Sequence, residues 1–271
     1  MDLKRVTSAL ILFPIVAIIL IFGNKYLVDV AICAIAILSL HEYFNSFENA
    51  ENKEVKPIRW IAYIIAISIA LIHVIPPEYE IKVVGAIIPV SILVLFSQII
   101  ATNMKYTIKD IAITFFGICY IVIFLMFIPV IRNMENGKVL VWYVFWAAWG
   151  TDVFAYLIGK RFGKHKFSAI SPKKSVEGCI AGTIGAVIVI LIYTYICNKY
   201  LQVNINYISI TIVAIVLSLV GQIGDFAASC IKRYNGIKDF SNLIPGHGGM
   251  LDRIDSVIFI APFAYFLLTL I

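Results

Sequence analysis

Apolar residues fill long runs along this chain, and polar residues gather in short breaks between them. Dividing the sequence at those breaks gives nine apolar segments, at 6–22, 26–40, 60–75, 83–100, 111–131, 139–158, 178–197, 208–229 and 254–271. A helix needs about 20 residues to cross the hydrocarbon of a bilayer, with about 17–25 tolerated. The pattern therefore predicts an all-α fold, a polytopic bundle of about nine transmembrane helices. The second segment is short and follows the first after residues 23–25, which predicts a tight hairpin. Lys4 and Arg5 precede an apolar core, as in a signal peptide. No small-residue cleavage site follows, so the first segment is read as a retained anchor.

Composition changes this picture only by closing off alternatives. With 61% hydrophobic and 14% charged residues and a mean hydropathy of +0.95, the chain has too little polar surface to cover a soluble globule. Apolar segments recur throughout and no Pro/Gly/Ser-rich linker intervenes, so one integrated membrane domain is expected. Within it, residues 1–131 are read as a scaffold with a lipid-facing or dimer-forming part, and residues 132–271 as the part whose loops build the functional site. Cys33, Cys119, Cys179, Cys197 and Cys230 form no CxxC and mostly sit in apolar runs, which suits helix packing better than disulfides or metal ligation.

The charges give a direction. With the N-terminus inside, only Lys25, Lys82, Arg132, Lys138 and Lys199 of the 22 Lys and Arg residues fall in outer segments. Positive charge favours the inner loops, so nine crossings, a cytoplasmic N-terminus and an outside C-terminus are expected. The net charge of +6 mainly reflects this asymmetry and also favours an anionic leaflet. Nothing in the pattern calls for a nucleic-acid partner.

Two inner loops carry more than orientation requires. "GKRFGKHKFSAISPKKSVEG", 159–178, has six cationic side chains and follows a segment containing Asp152; "KRYNGIKDFSNLIPGHGGMLDRID", 232–255, follows one containing Asp225. Lys/Arg-rich loops can serve topology alone. Acids within apolar segments are harder to dismiss, because a carboxylate near the centre of a span costs about 2.5–3.5 kcal/mol on insertion scales and normally faces a cavity with a partner. Asp252 and Asp255, three residues apart, share a helix face with Ser256 beside them, and Asp225 stacks with Ser229 at four-residue spacing.

Converging carboxylates require a cation, and hard oxygen ligands select Mg²⁺ or a similar ion. The backbone N–H groups of Gly248 and Gly249, beside His247, suit an anion that approaches the backbone closely. Carboxylates, a metal, lysines and a glycine loop together form the inventory of phosphoryl or nucleotidyl transfer. Taken singly, the features have plainer readings: a loop histidine, a glycine turn, or a transporter's coupling-ion site at Asp225.

Ser229, Lys232, Arg233, Lys238, Asp239, Ser241, Ile244, Pro245, His247, Gly248, Gly249, Asp252, Arg253, Ile254 and Asp255 resemble the C-terminal signature of the phosphatidate cytidylyltransferases, or CDP-diacylglycerol synthases. The pattern runs without a departure over 27 positions, 229–255. "TDVFAYLIGKRFGKH", 151–165, and "SPKKSVEG", 171–178, resemble further segments of that family, with Val176 where an aromatic is usual. The resemblance is specific over 149–256.

It implies an integral membrane enzyme that joins CTP to phosphatidic acid for phospholipid biosynthesis, in the plasma (inner) membrane if the source is prokaryotic, with its active site on the cytoplasmic face. It implies Asp225 and Asp252 as Mg²⁺ ligands and Asp255 as a nearby or outer ligand, with a second, monovalent cation as an option. Lys173, Lys174, Lys232, Arg233 and Arg253 would bind phosphates. Ser171, Ser229 and Lys238 complete the substrate-binding set, His247, Gly248 and Gly249 shape the nucleotide pocket, and Asp152 completes the polar cavity or orients Lys173. A CTP-dependent polyprenol or dolichol kinase and an ion-coupled transporter are the alternatives. A homodimer is compatible with Gly182 and Gly185, whose small size permits close helix packing within or between chains.

Overall fold

The computed structural model describes residue 14 and residues 16–50, 55–168, 170–172, 174–244, 246 and 248–271. The first apolar segment falls mostly outside them. Its described end is helical to Phe22 and breaks at Gly23 and Asn24, whose Oδ1 accepts the Leu27 N–H at 2.8 Å and starts the next helix. The helices that follow are α1 (Lys25–Glu48), α2 (Arg59–Leu71, continued by a 3₁₀ turn at Ile72–Val74), α3 (Pro77–Ala101), α4 (Ile108–Asn133, with a π-helical turn at Ile118–Ile123), α5 (Gly137–Phe162), α6 (Val176–Leu201), α7 (Tyr207–Tyr234) and α8 (Leu251–Leu268). β pairing among the described residues is limited to two isolated bridges, Lys166 with Ser175 and Ile244 with Gly248.

Among the described residues, six helices are long and apolar enough to cross a membrane: α1, α3, α4, α5, α6 and α7. The helix at Arg59–Val74 is shorter. The last one, of 18 residues, opens on Asp252, Arg253 and Asp255. This is an integral membrane protein of helices, as the apolar runs predict.

One boundary differs with consequence. The second apolar segment ends at residue 40 in the sequence reading, whereas α1 continues through eight more residues to Glu48. Leu40, Tyr43, Phe44 and Phe47 recur at helical spacing and are all buried, and that apolar stripe carries the helix past its polar neighbours.

The chain divides into two compact units, one made of residues up to Asn133 with Lys232–Ile254, the other of Met134–Ile231 with Asp255–Ile271. In the first, Tyr43 sits at the centre of an aromatic cluster, with ring centroids 4.9 Å from Phe47, 5.5 Å from Phe44 and 6.4 Å from Tyr120. Gly117 of α4 leaves room for it, since a Cβ there would come 2.9 Å from the Tyr43 ring. The loop before α2 is pinned to α4 through Lys56 N–H to Asp110 Oδ1 (2.6 Å) and Ile58 N–H to Thr114 Oγ1 (2.8 Å). A fully buried pair, His73 Nδ1 with Asp29 Oδ2 at 2.5 Å, joins the start of α1 to the turn after α2.

In the second unit α5 lies along α6. Gly182 and Gly185 face α5 within the chain: a Cβ on Gly182 would meet Thr151 O at 2.8 Å, and one on Gly185 would overlap the Phe154 ring. Gly150 answers from α5, 3.0 Å from the Ala186 Cα by the same measure. The opposite face of α6 shows Ile180, Ile184, Ile188, Ile192 and Ile196 outward, one residue per turn, as a lipid-facing stripe requires. Between the helices, Thr151 Oγ1 and Ser218 Oγ lie 2.7 Å apart, and Ser218 and Gln222 both bond Thr183.

Candidate functional site

In the first unit, the chain between α7 and α8 builds a buried ion pair. α7 ends in a turn where the Ile237 N–H donates to Lys232 O at 2.9 Å and Gly236 takes φ +72°, a left-handed position that suits glycine. This fixes Lys232 in the last turn. Its Nζ donates to Asp252 Oδ1 at 2.6 Å, with side-chain exposures of 11% and 2%. Asp252 Oδ2 accepts the Phe240 and Gly249 N–H groups, each at 2.9 Å. A carboxylate in the first turn of α8 is also favoured by the helix dipole. The Gly249 N–H, expected to face an anion, is thus turned inward to Asp252.

Gly248 has φ +81°, and a Cβ on it would lie 2.8 Å from Asp252 Oδ2, so conformation and space both require glycine there. Arg233 is exposed and donates to Ile237 O at 3.1 Å. Lys238 and Arg253 are exposed. His247 lies outside the described residues.

Glu42 belongs to this cluster and was missed. It projects from α1, is only 4% exposed, and its carboxylate accepts from Ser241 Oγ (2.6 Å), Met250 N–H (2.9 Å) and Leu251 N–H (2.8 Å). One turn further along α1, Ser46 Oγ accepts from Asn235 Nδ2 at 2.9 Å.

In the second unit, Asp225 of α7 pairs with Lys174 through Oδ2 and Nζ, and the two side chains are 25% and 26% exposed. Lys174 is set by a small folded loop. Phe167 N–H bonds Lys174 O, Lys174 N–H bonds Ser171 O, and Val176 N–H bonds His165 O, each at 3.0 Å. Ser175 then caps α6 by accepting the Gly178 N–H at 3.1 Å. Lys174 Nζ also lies 4.3 Å from the ring centroid of Phe226, which stacks on Phe167 at 4.7 Å. Gly224, beside Asp225, lets α8 come close: a Cβ on it would sit 2.7 Å from Asp255 O. Asp225 and Asp255 therefore stand on closely packed helices. Ser229 is buried, Asp152 exposed on α5, and Lys173 lies outside the described residues.

Among the described residues no group of three or more His, Cys, Asp or Glu side chains gathers to hold a metal ion. Asp225 and Asp252 each face an ammonium group instead. Carboxylate oxygens are hard donors of the kind Mg²⁺ takes, and here those of Asp225 and Asp252 are paired with Lys174 and Lys232.

A profile of the family described as "Cytidylyltransferase family" matches residues 3–271. Among curated proteins, the chain is 35% identical over 182 residues to the phosphatidate cytidylyltransferase of Bacillus subtilis, a stretch that is 66% of each chain. It is 37% identical over 184 residues to that of Thermotoga maritima (65% of this chain, 67% of the relative). The Staphylococcus aureus (strain COL) protein of the same name matches at 35% over 207 residues, 74% of this chain and 77% of the relative.

Proposed function

The chain belongs to the cytidylyltransferase family, and we propose that it transfers the cytidylyl group of CTP to phosphatidic acid, giving CDP-diacylglycerol and pyrophosphate. The observation that carries this reading is the family match from residue 3 to residue 271, which takes in both aspartate–lysine pairs.

The lipid phosphate needs little activation. A phosphate monoester has a second pKa of about 6, so near neutrality it is largely a dianion and serves as its own nucleophile. One of its oxygens forms a bond to the α-phosphorus of CTP, the bond from that phosphorus to the bridging oxygen breaks, and the electron pair leaves with pyrophosphate. No general base is required. What the protein must supply is position and positive charge. Lys174 and Lys232 supply the charge, each oriented by its aspartate, and Arg233, Lys238 and Arg253 are exposed cations for the triphosphate tail. Lys173, Ser171, Ser229, His247, Gly248 and Gly249 line the substrate side of this proposal, and Asp152 the polar cavity.

Asp225, Asp252 and Asp255 are the residues that would hold Mg²⁺, with a monovalent cation as a second ion. Bound there, Mg²⁺ would neutralise phosphate charge and polarise the phosphoryl oxygens. The lysine and arginine asymmetry supports nine crossings, a cytoplasmic N-terminus, an outside C-terminus and a site open to cytoplasmic CTP.

The test is to incubate the purified protein with phosphatidic acid, Mg²⁺ and CTP labelled at the α- or the γ-phosphate. Label from the α position in the lipid, with pyrophosphate released, is expected. Label from the γ position would identify a lipid kinase, and substrate flux without CTP consumption a transporter.

A further inference from the structure

We infer that Glu42 is a positioning residue for cytidylyl transfer, because its carboxylate and that of Asp252 together close the base of the loop that carries Gly248 and Gly249. The inference rests on the transfer reading above and adds a residue from α1 to a site otherwise assigned to the C-terminal half.

The two carboxylates act on consecutive rungs. Asp252 Oδ2 joins Phe240 N–H to Gly249 N–H, across the loop. Glu42 joins the next residues on each side, Ser241 Oγ to the N–H groups of Met250 and Leu251. The chain from Ser241 to Met250 thus leaves and returns through carboxylate bridges. Inside it the Ile244 N–H bonds Gly248 O at 2.9 Å.

Among the described residues every partner of Glu42 is a donor, so the position calls for a group that only accepts, and a carboxylate does so at both oxygens. Two of the donors are N–H groups at the start of α8, which have no partner inside the helix. Met250, the residue before the helix, has no side-chain oxygen to cap them. Glu42 caps them from 208 residues away in sequence. Gly249 is shaped to this contact, since a Cβ on it would overlap the Glu42 carboxylate.

A second attachment makes the proposal testable without loss of the fold. Ser46 with Asn235, and the Phe47 ring 6.2 Å from Tyr234, hold the end of α7 against α1 without Glu42. Glu42→Gln keeps size and places an NH₂ group before backbone donors, which pushes the loop away. Misplacement of about 1 Å near a reacting group can cost about 100-fold in rate.

The experiment measures kcat and KM for CTP, per folded molecule, in wild type, Glu42→Gln, Glu42→Asp and Ser241→Ala, with folded protein quantified by thermal unfolding in detergent. Glu42→Gln should lose about tenfold or more in kcat/KM for CTP. Glu42→Asp, which keeps an acceptor-only group, should lie between it and wild type, and Ser241→Ala should show a smaller loss of the same kind. Wild-type kinetics in folded Glu42→Gln would overturn the inference, as would a loss explained wholly by less folded protein. If Glu42→Gln does not fold, unchanged kinetics in Ser241→Ala overturns it and a raised KM for CTP supports it. Wild type without α-label transfer would instead sink the transfer reading itself.

Discussion

Lys232 donates to Asp252 at 2.6 Å with both side chains almost closed off from solvent, whereas the Lys174–Asp225 pair is about a quarter exposed. Two pairs of the same chemistry therefore differ in what they contribute to stability. Removing one partner of a buried pair leaves an uncompensated charge and costs about 3–5 kcal/mol. Lys232→Met should accordingly unfold at a clearly lower temperature in detergent, besides losing transfer. Pairing it with Asp252→Asn, which removes the charge and whose amide oxygen still accepts from the Phe240 or Gly249 N–H, should recover part of the stability but not activity, which thermal melts and a labelled-CTP assay on the same samples would check.

Asp225→Asn is expected to separate the two properties. A partly exposed pair contributes at most about 1 kcal/mol, so the melting temperature should stay near that of wild type while transfer is abolished. Near-normal CDP-diacylglycerol formation by this variant would remove Asp225 from the proposed chemistry.

The difference between these aspartates was only half visible in the sequence. Asp225, Asp252 and Asp255 stood out because charge within or beside apolar runs is costly and calls for a partner. Their partners did not, because Lys174 and Lys232 were two cations among many and the fold chose between them. Glu42 was hidden for a different reason. It follows His41 at the end of an apolar run and begins a stretch rich in charge, which reads as a solvated loop. The signal that does reveal it is the aromatic spacing beyond Leu40: Tyr43, Phe44 and Phe47 extend the buried stripe, so the helix continues and carries Glu42 and Ser46, four residues apart, on one face.

Metal dependence gives a third prediction. If Asp225, Asp252 and Asp255 hold Mg²⁺, chelation should abolish transfer and added Mg²⁺ should restore it. Ca²⁺, which tolerates looser geometry and longer bonds, should restore it poorly. Transfer at an undiminished rate in excess chelator would count against the ion.

The last prediction concerns the glycines of α6, whose spacing left open whether they join helices within one chain or between two. Gly182 and Gly185 meet Thr151 and Phe154 of α5, and no room remains for a side chain at either place. Gly185→Val forces its new atoms into the Phe154 ring. Overpacking of this kind typically costs about 1–3 kcal/mol, and α5 and α6 carry the loop that presents Lys174 to Asp225. The variant should therefore melt earlier and transfer more slowly, while its oligomeric state, read by light scattering in detergent, stays that of wild type. Phe154→Ala in the same chain should restore part of both losses, because it removes the atoms with which the new side chain collides. A change of oligomeric state with unaltered melting would instead assign these glycines to a contact between chains.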